Sequence, residues 1–124
     1  MLDLLLDANI SHVIAAQVSR RRPDIPIQSI FHWRGGSFAM QPDHLILQAA
    51  AEDGLTLVTY DVSTIQPLVA EWGILGIPHA GVLFVAQHTI RSDDFGGLVR
   101  GIERLWTRER HLVWTNRTRF LDRP

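Results

Sequence analysis

Two aspartates each follow a short apolar run, a position from which their carboxylates could bind a metal ion. Asp7 follows the apolar run at residues 2–6, and Asp61 follows a second apolar run at residues 55–60. Short, nearly continuous apolar runs are typical of strands that are buried on both faces of a parallel sheet. Because the carboxyl ends of parallel strands share one edge, and open α/β sheets bind ligands there, we expect both carboxylates at the mouth of one crevice.

Asp43 is a third candidate, since Gln41-Pro42-Asp43 has the composition of a helix start close to the same edge. Alone, Asp43 is better explained as an acid that favours the helix dipole. Three carboxylates in one crevice repel one another unless they share a proton or a cation. Mg²⁺ or Mn²⁺ suits such oxygen ligands, and a metal held this way can activate water for phosphodiester cleavage. Asp7, Asp43 and Asp61 are therefore the candidate catalytic and metal-binding residues.

Composition excludes several other chemistries. All 12 basic residues are arginine, and the chain has no cysteine. Without lysine, Schiff-base catalysis, a Walker phosphate loop and a phosphoaspartate receiver site cannot operate. Without cysteine there are no disulfides, thiolate nucleophiles or cysteine-bound zinc.

The 124 residues, 46% of them hydrophobic, predict a single domain over residues 1–124. No apolar run approaches the ~20 residues of a membrane span, and the first residues do not have the features of a secretory signal. We therefore expect no membrane association and a cytoplasmic location.

Helical and strand patterns alternate along the chain. Apolar residues at helical spacing follow Asp7 as far as the arginines before Pro23, and a strand is expected within residues 25–31. The helix that begins near residue 41 should end at Gly54, and the one after Asp61 at Gly73. This order predicts an α/β fold, a three-layer α/β/α sandwich with a central, mostly parallel sheet.

The last part of the chain is predicted in the same way. A strand is expected over residues 81–85, and a helix follows, with Ser92 as its cap and Asp93 and Asp94 in its first turn. A final strand, possibly at a sheet edge, is expected at residues 111–114, and residues 115–124 are expected to form a polar tail.

The basic residues are concentrated near the end of the chain. Residues 91–124 contain eight arginines and five acids, whereas residues 1–90 contain four arginines and eight acids. The arginines of the helix and tail at about residues 91–124 could contact phosphate groups of a nucleic acid, because guanidinium binds phosphate in a planar, bidentate manner. A solvated helix face explains the same arginine spacing.

Other polar residues have two interpretations each. Asn9 is suited either to cap the following helix or to orient Asp7 or touch substrate, and Thr59 either to hydrogen-bond a metal ligand or to be an ordinary β-branched strand residue. Asp93 or Asp94 could add a ligand, although helix capping is the simpler explanation. His79 precedes a strand, which favours a structural role.

As an ordered set, several motifs across residues 2–85 resemble those of short PIN-like proteins. They are the Leu4–Asn9 strand end, the Gly35-Gly36-Ser37 loop leading to the helix at residues 43–49, the strand end at residues 57–61, and the strand preceded by His79. The resemblance implies an α/β/α sandwich that cleaves RNA with Mg²⁺ or Mn²⁺ held by Asp7, Asp43 and Asp61. Many such proteins are toxins of bacterial toxin–antitoxin pairs, so it also implies an antitoxin as partner.

The chain departs from the family pattern at two positions. Ala8 stands where a glutamate is usual, and Ser63 where a second aspartate is usual. A catalytically inactive PIN-like protein-interaction module is therefore the alternative to a ribonuclease. Asn9, Thr59, Ser63 and Arg34 are weaker substrate-binding candidates. Four tryptophans and the hydrophobic composition favour a homodimer.

Overall fold

The computed structural model describes residues 1–124 and contains five strands and four α-helices. The strands are all parallel and lie in the order β2-β1-β3-β4-β5. They are β1 (Leu4–Leu6), β2 (Ile27–Ser29), β3 (Thr56–Thr59), β4 (Val82–Phe84) and β5 (Thr118–Phe120). The helices are α1 (Val13–Arg21), α2 (Asp43–Glu52), α3 (Val62–Leu75) and α4 (Phe95–Glu109), with a short 3₁₀ helix at Trp33–Gly36.

Two hydrophobic cores lie on opposite faces of the sheet. Leu4 and Leu6 of β1 pack with buried residues of α1 and α4, whereas Leu5 packs with buried residues of α2 and α3. Successive strand residues point to opposite faces, so a strand covered on both sides must be apolar at every position. The protein is therefore a three-layer α/β/α sandwich, as the sequence predicts. None of its helices combines the length and the hydropathy needed to cross a membrane.

The chain reverses its direction across the sheet between β1 and β3. From β1 it passes to β2 on one side, and from β3 it passes to β4 on the other. The helices that follow these two strands, α1 and α3, lie on opposite faces of the sheet. In open α/β sheets, ligands bind outside the carboxyl ends of such a strand pair, and we call this region of the molecule the crevice. The residues after β1 and β3 consequently flank it.

The prediction for the last strand is wrong in position. Residues 111–114 form no strand, and β5 lies instead within the predicted tail. Trp114 is buried and donates its indole N–H to the Glu109 carbonyl at 2.9 Å, so the apolar residues there close the end of α4. The edge strand β5 alternates exposed and half-buried residues and carries Arg119, which gives it no apolar run to recognise.

Two helix boundaries also differ from prediction. Gly73 does not end α3, which continues to Leu75 and is closed by Gly76 in a left-handed conformation (φ 72°). The cap of α4 is Asp94, whose Oδ1 accepts from the Gly97 N–H at 2.9 Å, and not Ser92. A carboxylate one residue before the helix binds its free N–H groups as well as a serine would.

Candidate functional site

Asp7 is a buried carboxylate at the carboxyl end of β1. It is only 6% exposed. Oδ1 accepts from the Ala8 N–H at 2.7 Å, and Oδ2 accepts from the Thr59 hydroxyl at 2.7 Å. Burial raises the pKa of Asp7 and the charge of Asp61 raises it further, while the two hydrogen bonds act in the opposite direction. Asp7 is held by neutral donors and has no basic partner.

Thr59 is the centre of a hydrogen-bond network. Because Leu6 pairs with Val58 in the sheet, the next residues on the two strands, Asp7 and Thr59, lie side by side. The Thr59 hydroxyl donates to Asp7 and accepts from Asn9 Nδ2 at 3.1 Å and from the Asp61 N–H at 3.0 Å. A hydroxyl has one donor and two acceptor positions, so its capacity is filled. Of the two interpretations of Thr59, the structure supports a hydrogen bond to Asp7.

Asn9 completes this network from the loop after β1. Its Oδ1 accepts from the Tyr60 N–H at 3.1 Å, in addition to the bond from its amide to Thr59. The predicted N-cap role is wrong, because α1 begins at Val13 and the residue before it, His12, makes no side-chain cap bond. Asn9 therefore joins the ends of β1 and β3 and orients Asp7 through Thr59.

Asp61 caps α3 and faces the same crevice. Its Oδ1 accepts from the Thr64 N–H at 3.2 Å, and the Ser63 hydroxyl lies at 3.5 Å from the same oxygen. Its Oδ2 has no hydrogen-bond partner in the protein. Asp61 thus offers one carboxylate oxygen to a ligand, and the exposed Ser63 is placed beside it.

Asp43 is the first residue of α2 and is half-buried. Burial raises the pKa of its carboxyl, the charges of Asp61 and Asp7 raise it further, and His44 lowers it. Its carboxylate accepts no hydrogen bond from the protein. The structure therefore brings all three predicted aspartates within electrostatic range of one another.

The carboxylates do not close around a common point. No set of three or more His, Asp or Glu side chains is close enough together to hold a metal ion as the side chains stand. The free oxygens of Asp43 and Asp61 beside the buried Asp7 nevertheless suit a hard divalent cation, which keeps several waters in its coordination shell.

No further carboxylate replaces those missing at Ala8 and Ser63. The segment before α4 does approach the crevice, since the Tyr60 hydroxyl donates to the Ile90 carbonyl at 2.9 Å. Burial, followed by the charges of Asp94 and Asp93, raises the pKa of Tyr60 to about 12. Asp94, however, caps α4, and Asp93 pairs with Arg91 at 3.0 Å. Capping is thus the role of Asp94, while Asp93 forms an ion pair.

Two other residues lie outside the crevice. His79 is buried just before β4, where its Nδ1 accepts from the Gly81 N–H at 3.0 Å and burial lowers its pKa, so its role is structural. Arg34 binds Asp53 with two nitrogens, at 3.1 and 2.9 Å, and lies over the Trp33 ring at 5.1 Å. Arg34 therefore links the 3₁₀ helix to the end of α2, and its assignment as a weaker substrate-binding residue stays a prediction.

A groove between α2 and α3 was not anticipated from the sequence. Two depressions that share His44 make up this α2–α3 groove, which starts beside Asp43. It is lined by Pro42, Asp43, His44, Gln48, Ala51 and Glu52 on the α2 side and by Thr64, Pro67, Leu68, Glu71, Trp72, Ile77 and Pro78 on the α3 side. The sequence contains no pattern that indicates this groove, because the groove depends on how far apart α2 and α3 pack.

Comparisons of the chain with protein-family models, curated proteins and solved structures found no match.

Proposed function

We propose that this protein is a PIN-like ribonuclease that depends on Mg²⁺ or Mn²⁺, with Asp7, Asp43 and Asp61 as its metal-holding residues. The observation that carries the proposal is the grouping of these three carboxylates, none of which forms an ion pair, at the crevice between β1 and β3. Carboxylates grouped without ion-pair partners repel one another, and a bound cation would relieve that repulsion.

In this proposal, neighbouring groups of the chain hold the carboxylates in position. Thr59 and the Ala8 N–H hold the two oxygens of Asp7, and the bond from Thr64 orients Asp61. A bound divalent ion supplies a Lewis acid for the phosphoryl oxygen and lowers the pKa of a bound water. Asp43, the first residue of α2, would add the third carboxylate to the site.

The experiment is a cleavage assay on single-stranded RNA with purified protein in Mn²⁺, Mg²⁺ or EDTA. We expect cleavage in Mn²⁺ that is lost in Asp7→Asn and Asp61→Asn. Asp24→Asn is the matched control, because Asp24 is ion-paired with Arg22 at 2.8 Å outside the site. Intact RNA in every metal, or cleavage that survives in Asp7→Asn, would contradict the proposal.

We propose further that the protein acts in the cytoplasm as the toxin of a toxin–antitoxin pair, with an antitoxin protein as partner. Support comes from the resemblance to short PIN-like proteins in the order and spacing of motifs over residues 2–85. A neighbouring short reading frame that encodes a small DNA-binding protein, and rescue of growth by its co-expression, would test this. Toxicity that requires Asp7 is the expected result.

We propose a homodimer, supported by exposed apolar side chains at the end of α3. Ile74 is 86% exposed and Leu75 is 62% exposed, and Ile77 follows in the next turn. Adjacent exposed apolar residues favour a protein interface. Sedimentation of the wild-type protein and of Ile74→Ser should differ in apparent mass. Equal monomer mass for both would contradict the dimer.

The second candidate function is an inactive PIN-like interaction module. Ala8 and Ser63 favour it, and so does the α2–α3 groove, whose apolar residues lie among the acids Asp43, Glu52 and Glu71. Calorimetry separates the two functions. The ribonuclease should bind Mn²⁺ and lose that binding in Asp61→Asn, whereas the module should show no Asp61-dependent binding.

A further inference from the structure

One face of α4 carries a row of arginines without acidic partners. Arg100, Arg104 and Arg108 follow one another every four residues, about 6 Å apart along the helix axis, and all are exposed. We call these three residues the arginine ridge. None of them forms an ion pair. Like charges at this spacing destabilise a helix, so the ridge is not explained by the stability of α4.

The acids of the last third of the chain are engaged elsewhere. Their partners are Arg91 for Asp93, the Gly97 N–H for Asp94, Arg21 for Glu103, Arg117 and Arg119 for Glu109, and Arg119 for Asp122. The charge of Arg108 reaches Asp122 and contributes to lowering the pKa of that carboxyl. Arg100 and Arg104 have no acidic partner at all. The ridge therefore presents positive charge to a ligand.

The positive surface extends beyond α4 to the C-terminal residues. Arg104 and Arg108 line one depression together with Arg119 and Arg123. The two acids in that depression, Glu109 and Asp122, already bond Arg119. The three nitrogens of Arg119 are bonded to Glu109, Asp122 and the Phe120 carbonyl. A ligand at this surface therefore meets the free guanidinium donors of Arg104 and Arg108, and such donors bind phosphate.

The segment that precedes α4 lies beside the carboxylate crevice. The Tyr60 hydroxyl bonds the Ile90 carbonyl, which holds the segment before α4 against the residue that precedes Asp61. From its cap at Asp94, α4 then runs away from this edge of the sheet, next to α1. A strand that leaves the crevice over the start of α4 would meet Arg100 first and Arg108 last.

We propose that the arginine ridge binds the sugar–phosphate backbone of single-stranded RNA outside the carboxylate crevice. The choice of RNA rests on the proposed ribonuclease function. A single row of charges, spaced like successive phosphates, matches one strand. Contacts of this kind position a nucleic acid without reading its bases, so binding should depend strongly on salt and weakly on sequence.

The test is the fluorescence anisotropy of a labelled oligouridylate across a KCl series in EDTA, where no metal-dependent cleavage occurs. Each lost phosphate contact makes the negative slope of the logarithm of the association constant against the logarithm of salt concentration shallower by about 0.7 for single strands. The double variant Arg104→Gln/Arg108→Gln should make the slope shallower by about 1.4, which corresponds to about 25-fold weaker binding at 0.1 M salt.

The matched control is Arg20→Gln/Arg91→Gln, which removes the same charge at two exposed positions outside the ridge. It should bind RNA within about twofold of wild type, in keeping with the loss of long-range attraction alone. Equal weakening in both double variants would overturn the proposal, as would wild-type protein that binds no RNA. Ridge-dependent binding to phosphatidylserine vesicles without RNA binding would overturn it as well.

The ridge and the proposed ribonuclease can fail separately. RNA binding that requires the ridge, in a protein that cleaves no RNA in Mn²⁺, supports the ridge and contradicts the nuclease. Cleavage that requires Asp7, with wild-type binding by Arg104→Gln/Arg108→Gln, overturns the ridge alone. Circular dichroism of each variant verifies that its fold is intact.

Discussion

Replacing Thr59 with valine removes the centre of the hydrogen-bond network and keeps the shape of the side chain. Asp7 Oδ2 loses a donor while buried, which costs about 1.5–3 kcal/mol for a bond to a charged group. The Asp61 N–H loses its acceptor at a further cost of about 0.5–1.5 kcal/mol, whereas the exposed Asn9 amide can bond water. We expect Thr59→Val to lower the free energy of unfolding by about 2–4 kcal/mol at pH 7.

Two variants separate the network from ordinary packing. Thr59→Ser keeps the hydroxyl and loses one buried methyl, at a cost of about 1 kcal/mol. Thr56 lies at the other end of β3, where its hydroxyl donates to the Ala80 carbonyl at 2.8 Å. Thr56→Val loses that single bond and should also cost about 1 kcal/mol. Urea denaturation of the four proteins gives the comparison.

The cost of Thr59→Val should depend on pH. The Thr59 bond lowers the pKa of Asp7, so its loss raises a pKa that burial has already raised. A raised pKa in the folded state stabilises the protein below the unfolded pKa of 3.8, and this stabilisation is lost as pH rises through the folded value. The penalty should therefore be full at pH 7 and smaller near pH 4. Equal costs for Thr59→Val and Thr56→Val, or a penalty that is the same at both pH values, would refute this reasoning.

Three further predictions concern the rest of the molecule. Gly81 has φ +103°, and an added Cβ would lie 2.8 Å from the Trp114 carbonyl oxygen. Gly81→Ala should therefore lower the free energy of unfolding in urea by about 2 kcal/mol or more. The control Gly35→Ala, whose added Cβ has no atom within contact distance, should lower it by about 1 kcal/mol. Arg34→Ala should lower the urea midpoint and leave the RNA affinity in EDTA unchanged, because the Arg34 side chain bonds Asp53 within the protein. Weaker RNA binding by this variant would instead support Arg34 as a substrate ligand. Mn²⁺ at 100 times its dissociation constant should raise the free energy of unfolding of the wild type by about 2.7 kcal/mol, and Asp61→Asn should abolish this effect. Thermal unfolding with and without Mn²⁺ is the measurement.

Sequence and structure agree best for the central strands and the aspartates that follow them. A strand between two helical layers must be apolar at each position, so β1 and β3 are visible as local runs, and their order along the chain implies one shared edge. The positions of Asp7 and Asp61 beside one another therefore follow from the sequence. Asp43 required only the added recognition of a helix start.

The sequence by itself thus determined the layered fold and the position of Asp7, Asp43 and Asp61 at one edge of the sheet, because each depends on patterns over a few neighbouring residues. Tertiary structure alone decided that Asn9 bonds Thr59, 50 residues away in the chain, and that Arg34 bonds Asp53, 19 residues away. It alone also decided the place of the polar edge strand β5 and the opening of the α2–α3 groove. These features arise from contacts between distant segments, and such contacts leave no periodic signal in the residues that make them.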